Sequence, residues 1–197
     1  IEVLACIKTL PKWLLNTWPA DQRDHENVPV RGGADFSKPT SYREQARMGF
    51  QFAARYGSNT AVNRSLVTVN STPRWPGDGI NEVKIGLNLI KYMECDNERD
   101  KWWKGAKAYQ TPAQYAANLS AFYDGHKNTM GPGIGVKNAD PNMQVVMAGL
   151  AKPDPEYVKS MVEWCRQNRG YRPDGSVNLC WDVINYHLYS NDARASQ

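Results

Sequence analysis

Four apolar, β-rich stretches are separated by amphipathic helical stretches, and this alternation constrains the fold more than any other feature of the chain. IEVLACI (1–7) reads as a buried strand. The second strand lies within IGLNLIKYMECDNE (85–98), centred on Ile90 to Glu94; the third is MQVVMAGLA (143–151), and VNLCWDVINYHLYS (177–190) holds the last. Between the first two, SYREQARMGFQFAARYG (41–57) predicts a helix. Ser41 and Glu44 stand at capping-box spacing, Tyr42, Ala46, Gly49, Phe50 and Ala53 share one face, and Gly57 suits the C′ position. A second helix opens at Thr111-Pro112 with Gln114 behind it, and carries Tyr115, Leu119, Phe122 and Tyr123 on its apolar side. A third opens at Asp154-Pro155 and presents Val158, Met161, Val162 and Cys165. Strands alternating with such helices imply an α/β fold, with a parallel sheet covered by helices. Two architectures satisfy the pattern: a doubly wound sheet, or an arc of a (β/α)8 TIM barrel.

The remaining segments narrow the function. Residues 10–18, LPKWLLNTW, read as a loop, as do the Gly- and Pro-rich residues 19–39; 58–86 is an irregular excursion in which LVTVN (66–70) has the composition of a short strand. GPGIG (131–135) follows a helix, so it does not have the strand-to-helix context of a dinucleotide fingerprint. The net charge of +4 is spread along the chain without a basic run, which argues against nucleic acid as partner. No apolar run is long enough for a membrane span. The cysteines at 6, 95, 165 and 180 make no metal-like spacing and read as free thiols in apolar surroundings. Seven Trp and ten Tyr suit a core, and also suit flat apolar ligands such as sugar faces. The chain opens directly on a strand and has only a short tail after the last one, so we expect a single partial domain over 1–197, truncated at both ends.

In parallel α/β folds chemistry gathers beyond the carboxyl ends of the strands. There the first strand runs into Pro11, Lys12 and Trp13, and the second into Asp96, Asn97, Glu98, Trp102 and Trp103. The third runs into Gly149, Leu150 and Ala151, and the last ends in Tyr186, His187, Leu188 and Tyr189. YMECDNERD, with FAARYG upstream and NYHLYS downstream, resembles the retaining glycoside hydrolases with (β/α)8 barrels. The nearest families are the β-xylosidase/α-L-iduronidase-like and arabinofuranosidase-like ones. Arg99 departs from the pattern, since many members carry Pro after the Glu.

The resemblance implies an incomplete TIM barrel comprising about the third to the sixth strands. It implies Glu98 as general acid/base and Asn97 on the sugar 2-hydroxyl. His187 and Tyr189 would line the site, and Trp13, Trp102 and Trp103 would offer walls to a carbohydrate substrate. The nucleophile would be a Glu on a seventh strand, among barrel segments outside the chain, so the polypeptide alone is expected to be inactive. Glu94 and Asp96 would raise the Glu98 pKa if they stood close and ionised. No cofactor and no metal is expected, and export to the periplasm or cell exterior follows from the resemblance. Three rival readings stand beside this one. The first is a non-catalytic sugar-binding barrel. The second is a metal-dependent barrel hydrolase using Glu94, Asp96, Glu98 and His187, whose three acids share a face if the strand alternation continues. A structural domain with no pocket is a third possibility.

Overall fold

The structure, a computed structural model, describes residues 2–189. Strands β1 (Leu4–Ile7), β2 (Tyr92–Cys95) and β3 (Gln144–Met147) form a parallel sheet in the order β1-β2-β3. Register sets Cys6 beside Glu94 and Glu94 beside Val146, in one row across the sheet. A parallel bridge from Val146 to Val183 extends that row, and a second joins Leu150 to Tyr186. The fourth expected strand is thus a closing segment held by two separate bridges and not by a continuous ladder. Its terminal residue, Ser190, lies outside the described residues.

Among the described residues five α-helices accompany the sheet: α1 (Lys12–Leu15), α2 (Arg43–Tyr56), α3 (Pro112–Asp124), α4 (Val136–Ala139) and α5 (Pro155–Asn168). The loop expected at 10–18 therefore contains a turn of helix. α3 starts as its sequence dictates. Thr111 Oγ1 accepts from the Gln114 backbone N–H, and Gln114 Oε1 accepts from that of Thr111. Asp154 caps α5 by accepting from the Glu156 N–H.

α2 departs from its local signals. A 3-10 turn, Pro39–Tyr42, precedes it, and the Ser41–Glu44 capping box does not form. Ser41 Oγ donates to the Asp35 carbonyl at 2.7 Å, and Glu44 pairs with Arg31 at 3.0 Å. Gly57 ends the helix with extended backbone, not the left-handed turn expected of it. Its requirement is space, because a Cβ there would lie 2.2 Å from Asp140 Oδ2. Residues 66–70 form no strand; Leu66 ends a 3-10 turn. The Gln51 amide occupies the backbone groups a ladder would use, donating to the Leu66 carbonyl and accepting from the Thr68 N–H.

α2 packs on α3, and α3 on α5. Met93, Cys95, Val145 and Met147 point from the sheet into a core shared with Phe50, Tyr115, Leu119, Phe122 and Met161. Each such buried apolar side chain contributes about 1.5–3 kcal/mol. Right-handed crossovers between strands laid down in sequential order keep successive helices on one face. A doubly wound sheet needs a reversal of strand order, and none occurs among the described strands. The opposite face carries Leu4, Cys6, Glu94 and Val146; β1 is an edge among the described strands, with Val3 and Leu4 exposed. Within the described residues, no helix is long and apolar enough to cross a membrane.

Candidate active site

Beyond Cys95 the chain turns sharply. Asp96 and Glu98 both adopt left-handed backbone, with φ of 77° and 47°. Such conformations cost of order 1–3 kcal/mol for residues with a Cβ and persist only where surrounding contacts enforce them. Here Arg99 is the enforcer. Its guanidinium is fully buried, pairs with the buried Asp96 carboxylate, and donates to the carbonyls of Glu26 (3.0 Å) and Ala108 (3.1 Å). The residue that departs from the glycosidase pattern is therefore a strut, tying the β2 exit to two loops. Asp96 also accepts from the Asn97 backbone N–H and from Gln45 Nε2. Burial pushes its carboxyl up, with Arg99 opposing that shift.

Glu94 is equally committed. Its Oε1 accepts from the Gly149 N–H and from Asn185 Nδ2, each at 2.8 Å. One carboxylate oxygen thus fastens β2 to the β3 exit and to the closing segment. The acids at 94 and 96 are engaged by these partners, and neither is within hydrogen-bonding contact of Glu98. They make no hydrogen-bonded cluster with Glu98. Nor do the three acids gather with His187: among the described residues there is no group of three or more His, Cys, Asp or Glu side chains placed to hold a metal. The left-handed turn at Asp96 breaks the strand alternation on which that expectation rested.

Glu98 and His187 do meet. Glu98 Oε1 lies 2.7 Å from His187 Nδ1, with both side chains partly open to solvent. Which of the two donates depends on the tautomer: Nδ1–H donates to a carboxylate, and an unprotonated Nδ1 accepts from a carboxylic acid. Backbone bonds fix both partners: the Glu98 N–H donates to the Gly149 carbonyl and the His187 N–H to that of Leu150. Gly149 is essential to the geometry, because a Cβ there would lie 2.2 Å from His187 Nε2. The imidazole rests directly on the β3 exit. Sequence reasoning placed Gly149 at a strand end without a role and overlooked Asn185; a glycine directly after an apolar strand was the available signal for close approach.

The other expected residues are placed in different ways. Asn97 is half-buried, and its side chain makes no hydrogen bond among the described residues. Tyr189 is largely exposed and meets His187 edge-on, centroids 6.3 Å apart. Trp102 and Trp103 are half-exposed and form a T-shaped pair at 4.8 Å, with Lys152 Nζ 4.7 Å from the Trp102 ring centroid. The Asp100 carboxylate accepts from the Ala151 and Lys152 N–H groups, so that rim is joined to the loop after β3. Trp13 lies instead beside a cleft of about 230 Å³ at the β1 exit, with Ile7, Leu10, Pro29, Gln45 and Met48. Gln45 connects that cleft to the β2 exit through Asp96. Comparison with protein-family models, with curated proteins and with solved structures finds no match to this chain.

Proposed function

We propose that the chain is an arc of a (β/α)8 barrel from an exported retaining glycoside hydrolase, with Glu98 as its general acid/base. The observation that carries this reading is the 2.7 Å contact of Glu98 with His187 beyond the carboxyl ends of consecutive parallel strands. Sequential strands with helices on one face are the arrangement from which a barrel is built. In this reading the Leu4–Cys6–Glu94–Val146 face belongs to the barrel interior, and further strands cover it.

The chemistry follows from a carboxyl that changes protonation state twice. Glu98 protonates the leaving oxygen while a second carboxylate attacks the anomeric carbon, and then, ionised, it takes a proton from the water that releases the sugar. His187 keeps the Glu98 carboxyl oriented through both steps. Asn97, whose side chain makes no hydrogen bond among the described residues, bonds the sugar 2-hydroxyl. Trp102 and Trp103 form an apolar rim against which a sugar ring stacks. The second carboxylate comes from a strand outside these residues, so residues 1–197 alone turn over no aryl glycoside.

The test uses a polypeptide containing this segment together with the strand bearing that carboxylate. Glu98→Gln lowers kcat/KM on an unactivated disaccharide about 10²–10⁴-fold, with much less loss on a substrate whose leaving group needs no protonation. Equal loss on both substrates, or none, removes Glu98 from the acid/base role. A sugar-binding module without catalysis is the second reading, favoured by the exposed Trp102–Trp103 pair. It predicts that xylobiose or cellobiose binding survives Glu98→Ala with no turnover in any context.

A further inference from the structure

Cys165 and Cys180 stand 15 residues apart in sequence, and their sulfurs lie 3.6 Å apart. Both side chains are fully buried. The backbones that carry them are pinned together independently of the sulfurs. The Asn178 N–H donates to the Gly170 carbonyl, Arg169 Nε donates to the Asn178 carbonyl, and Tyr171 bridges antiparallel to Val177. Arg169 is in turn held by two bonds to the Asp124 carboxylate. The pairing of the two sulfurs is thus imposed by the fold.

We propose that Cys165 and Cys180 are a disulfide site, closed by a disulfide oxidant such as oxidised glutathione. A disulfide requires sulfurs about 2.05 Å apart, so closure needs an approach of about 1.5 Å. Cys165 is the attacking thiol. The hydrogen bond from Cys180 lowers its pKa against the effect of burial, and the Arg169 guanidinium adds to the lowering. Its thiolate attacks one sulfur of the oxidant, forming a mixed disulfide and releasing one reduced glutathione. Cys180 then loses its proton and displaces the second glutathione. Two thiols are oxidised, one disulfide is reduced, and two protons leave the protein sulfurs to appear on the glutathione thiols. Full burial confines the exchange to the folding chain or to a locally opened state.

The bond would anchor the residues that lead into the closing segment, and hence the approach to Asn185 and His187. Cys95, also buried, serves as an internal control. The chain of residues 1–197 is refolded with oxidised and reduced glutathione, unfolded in denaturant, alkylated, and mapped by mass spectrometry. The expected result is a linked peptide pair carrying Cys165 and Cys180, with Cys6 and Cys95 alkylated. Dithiothreitol then lowers the melting temperature by roughly 6–12 °C, as expected for a loop of this length in a chain of this size. It leaves a Cys165→Ser/Cys180→Ser variant unaffected. Alkylation of Cys165 and Cys180 to the same extent as Cys95, or linkage of either to Cys6 or Cys95, overturns the proposal.

Discussion

Two stretches without regular secondary structure behave in opposite ways. The exit from β2, residues 96–101, buries Asp96, Arg99, Asp100 and Lys101. The excursion at 68–82 exposes its largest apolar side chains, Val69, Trp75 and Ile80. In the first, nearly every buried polar group finds a partner distant in sequence: Arg99 reaches the loops at 26 and 108, and Asp100 reaches the backbone at 151–152. In the second, the bonds are mostly local. Thr72 N–H donates to Asn70 Oδ1 and Trp75 N–H to Asp78 Oδ2. The two loops thus differ in the reach of their bonds: one ties distant segments together, and the other closes mainly on itself.

The strongest way to break this contrast is Arg99→Met. The change leaves the Asp96 carboxylate buried without its guanidinium, which costs about 3–5 kcal/mol; denaturant unfolding of the chain should show a fall in unfolding free energy of that size. Retention of wild-type stability would show that Arg99 does not hold the β2 exit.

A milder intervention acts at the edge of the same loop, where Lys104 pairs with Asp24 and Glu26. The Glu26 backbone N–H holds the Asp24 carboxyl below its ordinary value, with Lys104 assisting. Burial pushes Glu26 up, but Lys101, Lys8 and Lys104 outweigh it and leave it lowered. Carboxyls lowered in the folded state stabilise it above their unfolded values, and that contribution is lost as pH falls through the folded ones. Asp24→Asn/Glu26→Gln should therefore melt a few degrees below the wild type at pH 7. The gap should close as the pH falls below the ordinary carboxylate range and through the lowered folded-state values, and a gap independent of pH would refute the ionic account.

The smallest effect is expected in the excursion. Trp75→Ser and Ile80→Ser should each change stability by no more than about 0.5 kcal/mol, since neither side chain packs in the core. A larger loss in thermal unfolding would mean that the two loops are more alike than their contacts suggest.

By itself the sequence determined the features whose physics acts within a few residues. The alternation of strands and helices, the Thr111–Gln114 cap, the Asp154 cap and the placement of Glu98 and His187 near strand ends all depend on local periodicity or on spacings of three or four positions. Tertiary structure decided where local groups had distant competitors. Arg31 and the Asp35 carbonyl drew Glu44 and Ser41 away from a capping box, and Gln51 occupied the backbone of a would-be strand. Glu94 and Asp96, both acidic and two residues apart, were sent to different partners by the left-handed turn and by Arg99. The reason is that a hydrogen-bonding group takes whichever partner the packed chain brings to about 3 Å, and partners tens of residues away leave no trace in local spacing.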